Sequence, residues 1–340
     1  MTDAPQPAKR SRAKSVIRTV GLVVALALCV AFLVPRAGDI SDAFGRQDPW
    51  SLVAALVTGA AATYVTFLSW RALMSGAGHH IPIRAAQRVF FLSQIGKYIP
   101  GSVWPIVAQA DLGREHRVPA ARSVAVGMLT LLVSCGAGVS VAAVTIPFVQ
   151  PDAFASYWFV VLLVPIVLAA LHPAVLRFGL RLASKVTRRD LGTIDLRIGA
   201  IIRAFGWAAL AWLLFGLHIT LVLVPLARVD LRVTTLTIGA YALAWLVGFL
   251  VFFLPAGLGG REAVLTALLT ANVPLGASAA VSVAVMSRVL LTVVDLVFAG
   301  AAVLGERRRR AAGRAAGPAA GPLPTADATA PDTAGPPDDH

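Results

Sequence analysis

Long apolar runs alternate with short polar segments along most of the chain. Each run is close to the roughly 20 apolar residues that a helix needs to cross a lipid bilayer. This pattern predicts six membrane-spanning helices, at about residues 17–35, 50–70, 123–147, 157–176, 204–226 and 276–304.

Two further apolar segments, 89–111 and 234–272, are each interrupted by a Pro/Gly cluster and a charged residue. The first contains Ser93-Gln-Ile-Gly-Lys-Tyr-Ile-Pro-Gly-Ser-Val-Trp-Pro105, and the second contains Phe253-Leu-Pro-Ala-Gly-Leu-Gly-Gly-Arg-Glu262. An ordinary spanning helix has no use for such breaks, because lipid cannot satisfy the backbone groups that they free. A pair of interrupted segments, one in each half of a membrane protein, points to a transport site.

Basic residues in the loops predict orientation, because short cytoplasmic loops are rich in Lys and Arg. Five basic residues at the start and four consecutive arginines at 307–310 place both termini in the cytoplasm. Basic loops flank 89–111 on both sides, so this segment is predicted to form a re-entrant hairpin that turns near Pro100-Gly101. For 234–272 a re-entrant hairpin from the outside is favoured, because a return arm of about 12 residues is only about 18 Å long as a helix.

These features predict an all-α polytopic membrane protein with six spanning helices and two re-entrant or broken hairpins. The order span, span, hairpin, span occurs twice with opposite sidedness, which is the inverted repeat common among secondary transporters. We expect repeats at about 16–150 and 155–305, after a basic cytoplasmic tail at 1–15. The tail 306–340 is expected to be disordered in the cytoplasm, because it has almost no large apolar residues.

Composition supports a location in the cell membrane. Of 340 residues, 57% are hydrophobic and only 14% are charged, with a mean hydropathy of +0.77, whereas soluble domains are about 25% charged. The net charge of +13 lies in short segments beside apolar runs, which indicates membrane orientation rather than nucleic-acid binding. No spacing of cysteines and histidines predicts a metal site, and no cofactor is expected.

The breaks also contain the candidate chemistry. Each break precedes a predicted helix, Val103–Asp111 or Arg261–Ala271, whose first turn presents unpaired N–H groups to an anion. Ser102 is a good N-cap residue, and Pro105 is tolerated in the first turn. If both turns lie near the bilayer midplane, a phosphate-bearing ligand fits between them. The residues expected to bind it are Lys97, Tyr98, Gly101, Ser102, Trp104, Gly259, Gly260, Arg261, Glu262, Arg288 and Asp295.

Structural roles compete with ligand binding at these positions. Glycines also allow close helix packing in membranes, although packing does not explain charged residues in such apolar segments. Glu262 is suited to complementing its helix dipole and pairing with Arg261. Arg288 and Asp295 lie seven residues apart on one helix face, where an ion-pair lock with Glu262, Lys97 or Arg261 is as reasonable as substrate contact. Asp295 is also a conceivable proton carrier.

No enzyme is predicted. The chain has no G-x-S-x-G, H-E-x-x-H or Walker motif. Without an ATP-binding motif, transport is expected to be passive or driven by gradients, unless a partner supplies the energy.

The two motifs resemble those of the lysylphosphatidylglycerol synthase transmembrane family, also called flippase-like. Gly96-Lys-Tyr-Ile-Pro-Gly-Ser-Val-Trp104 and Leu254-Pro-Ala-Gly-Leu-Gly-Gly-Arg-Glu262 carry the resemblance, supported by Trp70-Arg71 and Arg288 in the final span. It covers roughly residues 15–305. The resemblance implies the lipid-translocating module alone, because the chain has no room for the family's cytosolic aminoacyl-transfer domain.

Two functions follow as hypotheses. The first is a transporter that moves an anionic, aminoacylated or polyprenyl-phosphate-linked lipid across the cytoplasmic membrane, with Lys97 and Arg261 holding phosphate. The second is a non-catalytic subunit or scaffold for a separate lipid-modifying or cell-envelope enzyme. In both, membrane lipids are the expected partners, with a partner enzyme required only by the second.

Overall fold

The computed structural model describes residues 47–99, 103–149, 197–250 and 259–315, with a few isolated positions elsewhere. These residues form eight α-helices and a single 3₁₀ turn, Ile95–Tyr98, without any strand in the described ranges. The helices are α1 (Pro49–Gly76), α2 (Ile83–Gln94), α3 (Trp104–Arg114), α4 (Ala120–Val149), α5 (Ile198–Leu223), α6 (Leu231–Leu250), α7 (Gly260–Asn272) and α8 (Ala277–Ala315).

Five of these helices are long and apolar enough to cross a membrane: α1, α4, α5, α6 and α8. Four of them match the spans predicted at 50–70, 123–147, 204–226 and 276–304. The chain is therefore an all-α polytopic membrane protein, as its hydropathy pattern predicts. The spans predicted at 17–35 and 157–176 lie outside the described residues.

The first broken segment has two short arms. Helix α2 has 12 residues and α3 has 11, so each is less than about 20 Å long and neither crosses a hydrocarbon core of about 30 Å. The arms pack on each other and on the 3₁₀ turn between them. A Cβ at Gly96 would lie 2.9 Å from the backbone of Trp104 and Pro105, so the close approach of the arms requires glycine there.

Helix α3 begins one residue later than predicted. It starts at Trp104 with Pro105 in its first turn, and Val103 at the N-cap makes no side-chain cap hydrogen bond. Proline is accommodated because the first-turn N–H has no partner within the helix. Pro100, Gly101 and Ser102 lie outside the described residues.

The second broken segment is asymmetric. Helix α6 has 20 residues and is long enough to span the membrane, whereas it was expected to form a re-entrant arm. Helix α7 has only 13 residues, or about 20 Å. Loop charges report on which side a segment ends but not how deep a helix penetrates, so charge counting did not distinguish a full span from a re-entrant arm here.

Both broken segments pack on helices that lie far from them in the sequence. The α2 ring of Phe91 stacks on Phe298 of α8 with centroids 4.5 Å apart, while α6 packs along α4. Helices α1 and α5 also pack extensively on each other.

The chain divides into two compact units, Met1–Ala302 and Val303–His340. The second unit is helical as far as Ala315, where its described part ends. Residues 306–315 were expected to belong to a disordered tail. Arginine and alanine are strong helix formers, which explains why the helix continues through the arginine cluster.

Candidate functional site

A cavity of about 260 Å³ lies in the first unit between the two broken segments. Two charged residues are in its described lining, Lys97 from the 3₁₀ turn and Arg261 from α7, and both are basic. The structure therefore brings together one cation from each break. Helices α1, α4, α5 and α6 supply much of the remaining wall.

Lys97 is shared between the cavity and an ion pair. Its Nζ lies 2.6 Å from a carboxylate oxygen of Asp295 on α8. Asp295 is only 3% exposed, and the Tyr98 hydroxyl donates to the same carboxylate at 2.7 Å. A buried carboxylate needs such partners. About a third of the Lys97 side chain stays accessible, and Lys97 also lies in the described cavity lining.

A second ion pair joins α7 to α8. Arg288 donates to one carboxylate oxygen of Glu262, and the other oxygen accepts the Gly259 N–H at 2.8 Å. Glu262 therefore complements the N-terminus of its own helix, as expected, but its ion-pair partner in the described residues is Arg288 rather than the expected Arg261. The Glu262 carboxylate therefore accepts the Gly259 N–H, so this N–H is not available to a ligand anion.

Gly259 adopts φ +85°, a left-handed conformation that favours glycine. Gly260 is the first residue of α7. These two glycines start α7 at a position where the Glu262 carboxylate accepts a hydrogen bond from the Gly259 N–H. The structure thus gives these glycines a capping role, and no direct place in the described cavity lining.

Arg261 differs from the other intramembrane charges. Its guanidinium donates to the Tyr241 hydroxyl at 2.8 Å and lies 4.5 Å from the centre of the same ring. Within the described ranges it has no carboxylate partner. The charged cluster formed by Lys97, Arg261, Arg288, Glu262 and Asp295 thus contains three cations and two carboxylates, and the surplus positive charge faces the cavity.

The other predicted site residues that the structure describes are not in the described cavity lining. Tyr98 turns towards α8, where its hydroxyl also contacts the Thr292 hydroxyl at 3.2 Å. Trp104 is half-buried at the start of α3, and Gly101 and Ser102 are outside the described residues. Asp295 contacts Lys97, which lines the cavity. The Glu262–Arg288 pair lies at the start of α7, the helix that carries Arg261.

Sequence reasoning missed the polar and aromatic walls. Hydroxyl and amide side chains line one part: Thr63, Thr66, Ser69, Gln94, Gln109, Thr130 and Ser134. Aromatic side chains line another: Phe90, Trp212, Phe215, Trp245 and Phe249. A signal was present in α1, where polar residues recur every three positions within an otherwise apolar span. Tyr241 also stood out as the tyrosine of an apolar span.

The histidine inside α5 has a packing role. His218 is fully buried, with Nδ1 2.8 Å from the Ala55 carbonyl oxygen and Nε2 3.0 Å from the Ser287 hydroxyl. Both ring nitrogens therefore have partners in neighbouring helices. His218 links α1, α5 and α8 and is not part of the cavity.

Comparison with known proteins agrees with the motifs. The sequence model of the family described as "Lysylphosphatidylglycerol synthase TM region" matches residues 18–299, which is most of the chain and includes both broken segments. No curated protein matches the chain.

Proposed function

The chain belongs to the lysylphosphatidylglycerol synthase transmembrane family, and on this premise we propose that it is a lipid transporter of the cytoplasmic membrane. Family membership associates the chain with membrane lipids. The proposed transporter moves a lipid with an anionic headgroup between leaflets, with the headgroup phosphate in the central cavity. Anionic phospholipids, aminoacylated phospholipids and polyprenyl-phosphate-linked lipids are the candidate classes. The proposal puts both termini in the cytoplasm, because the terminal segments are basic.

The observation that carries this proposal is the charge of the cavity. Lys97 and Arg261 face it from the two breaks, and its described lining contains no carboxylate. Ionisable groups within membrane-spanning bundles are costly and mark substrate or ion pathways by default. A phosphate between the two cations offsets the unbalanced charge of Arg261 and forms charge-assisted hydrogen bonds with both.

The ion pairs supply a means of coupling headgroup binding to movement. Lys97 contacts Asp295 on α8 while also reaching the cavity, so a bound phosphate competes with Asp295 for the ammonium group. A ligand shifts a conformational equilibrium only through its differential affinity for two states. The proposed cycle uses this competition: phosphate binding loosens the 3₁₀ turn from α8, and the repeats then rock around the cavity.

No catalytic step is included in this proposal. The polar residues of the cavity are threonines, serines and glutamines whose described hydrogen bonds are with backbone or with Trp70. None is paired with a base in the way that an activated nucleophile requires. We therefore propose a transport protein and not an enzyme.

The test is lipid movement in reconstituted vesicles. Purified protein is incorporated into liposomes with trace fluorescent phosphatidylglycerol, and the outer-leaflet dye is quenched with dithionite to measure the exchange between leaflets. We expect exchange above that of protein-free vesicles. Lys97→Ala and Arg261→Ala should each reduce the rate at least tenfold.

Arg203→Ala is the matched control. Arg203 is an exposed arginine of α5 that hydrogen-bonds the Gly199 carbonyl oxygen and is not in the described cavity lining, so its removal should leave the rate unchanged. Exchange equal to that of protein-free vesicles, for phosphatidylglycerol and for polyprenyl-phosphate lipids, would contradict the transporter. A stable co-purifying enzyme together with that result would support a scaffold instead.

A further inference from the structure

We propose that the cavity selects a headgroup whose phosphate is esterified to a neutral, hydroxyl-rich group, either glycerol or a single sugar, and disfavours headgroups that carry ammonium groups. This inference rests on the proposed function, because it takes the central cavity to be the headgroup site. It narrows the candidate lipids to one class, and excludes the aminoacylated lipids as preferred ligands.

The described cavity lining offers no counter-charge for an ammonium group. The charged residues of the described lining, Lys97 and Arg261, are both positive. The two carboxylates behind them, Asp295 and Glu262, are buried and engaged in ion pairs. A lysyl or alanyl ammonium group would therefore lie beside like charges in a poorly solvated space.

Hydroxyl groups in the described lining supply hydrogen-bond acceptors. The hydroxyls of Thr63, Thr66 and Thr130 donate to carbonyl oxygens of their own helices at 2.9, 2.9 and 2.8 Å. The Ser69 hydroxyl donates to the Ala204 carbonyl oxygen at 2.8 Å. Because each of these protons is already used, the oxygens present lone pairs to the cavity.

An ionised phosphate offers only acceptors, so it cannot donate a hydrogen bond to these hydroxyl oxygens. They match a ligand that brings O–H donors of its own. A phosphate ester of glycerol or a sugar supplies both halves: anionic oxygens for Lys97 and Arg261, and hydroxyls for the threonine and serine oxygens. Such a polar group satisfies the buried acceptors that would otherwise remain unpaired when water is displaced.

Aromatic rings form another part of the cavity wall. Trp245 and Phe249 are stacked with centroids 5.6 Å apart and ring planes within 6°. Trp212 also lines the cavity, and its indole N–H donates to the Ser134 carbonyl oxygen at 2.9 Å, so this N–H is already paired. Flat aromatic faces are suited to the C–H faces of a sugar ring or a glycerol chain.

The cavity volume limits the size of the group. About 260 Å³ is below the roughly 300–1,000 Å³ that is usual for pockets of drug-sized ligands. One phosphate with one glycerol or one sugar is of suitable size. An oligosaccharide or a peptide chain would have to remain outside the cavity.

Binding and flux of three probes test this selectivity. The probes are short-chain phosphatidylglycerol, its lysyl ester and a short polyprenyl-phosphate hexose, and Trp212 and Trp245 provide intrinsic fluorescence for binding to purified protein in micelles. We expect the lysyl ester to bind at least tenfold more weakly than phosphatidylglycerol. The relative affinity of the glycerol and hexose probes identifies the source of the polyol. Equal or tighter binding of the lysyl ester would overturn the inference.

The same probes in vesicles separate this inference from the proposed function. If phosphatidylglycerol binds selectively but no probe crosses the bilayer, the transporter is contradicted and the selectivity stands. If phosphatidylglycerol and its lysyl ester both cross at equal rates, the transporter stands and the selectivity is wrong.

A charge substitution in the lining gives a second readout. Gln94→Glu places a carboxylate in the cavity lining with little change of shape, and should raise the affinity for the lysyl ester relative to phosphatidylglycerol by at least fivefold. Gln87→Glu is the matched control on the same helix, because Gln87 contacts the Tyr64 hydroxyl and is not in the described lining. An equal ratio of affinities in the two variants would count against the proposed site.

Discussion

The ion pair between Glu262 and Arg288 should be a main source of stability in the second broken segment. The two side chains are only 10% and 12% exposed. Removing one partner of a buried pair typically costs about 3–5 kcal/mol, because the other charge loses its compensation. Glu262→Gln keeps an oxygen that can accept the Gly259 N–H, and Arg288 makes further contacts, so we expect a loss near the lower end, about 3 kcal/mol.

The same substitution at an exposed pair is the control. Glu115 contacts Arg88, and its side chain is 48% exposed. Pairs in contact with solvent are worth about 0–1 kcal/mol. Glu115→Gln should therefore lower the free energy of unfolding by less than about 1 kcal/mol, although the chemical change is identical.

Reversible unfolding in mixed detergent and SDS micelles, followed by tryptophan fluorescence, measures both losses. A double-mutant cycle with Arg288→Met isolates the pair, and we expect a coupling of about 1–3 kcal/mol. The double variant should be no less stable than Glu262→Gln, because it leaves no uncompensated charge from this pair. Equal losses for Glu262→Gln and Glu115→Gln, or strictly additive single losses, would refute the reasoning.

Three further predictions address packing, the second ion pair and pH. A Cβ at Gly216 would lie 2.3 Å from Ile238 Cα, so Gly216→Ala should separate α5 from α6 and lower the free energy of unfolding by more than about 2 kcal/mol. A Cβ at Gly206 meets nothing within 4 Å, so Gly206→Ala should stabilise the same helix by about 0.5–1 kcal/mol. The same unfolding assay compares the two variants, and equal effects would contradict the packing argument. Asp295→Asn should tighten phosphatidylglycerol binding several-fold, because it releases Lys97 to the cavity, and unchanged affinity in the fluorescence titration would argue against competition. Partial burial, with smaller contributions from Arg122 and His80, lowers the pKa of His79 below its usual 6.5 in the connection between α1 and α2. Because the unfolded chain then binds the proton more readily, the free energy of unfolding should fall as the pH drops below about 6.5. Unfolding measured from pH 8 to pH 5 should show a smaller fall for His79→Gln.

Much of the architecture follows from the printed sequence. The apolar runs identify four of the spans that the structure describes, and the motif around Lys97 identifies a hairpin with two short arms. The spacing of Arg288 and Asp295 places them on one helix face, and α8 does present both to the broken segments. These features depend on helical periodicity and on backbone hydrogen bonding in lipid, which are local properties of the chain.

Other features required the packed bundle. The sequence leaves several partners open for each charge, and only packing assigns Lys97 to Asp295 and Arg288 to Glu262 while leaving Arg261 on Tyr241. The length of α6 and the continuation of α8 to Ala315 also differ from expectation, because loop charge and composition do not determine where a helix ends.

The two breaks in the sequence by themselves determined that the membrane protein has two polar sites. Free backbone groups and charged side chains are costly in lipid, so each break must find polar partners within the protein. Only the tertiary structure decided that the breaks share one cavity, and that threonine hydroxyls and tryptophan rings from distant helices complete it. Those residues carry no local signal strong enough to separate a wall from a packing surface. Their chemistry emerges when side chains far apart in sequence surround the same space.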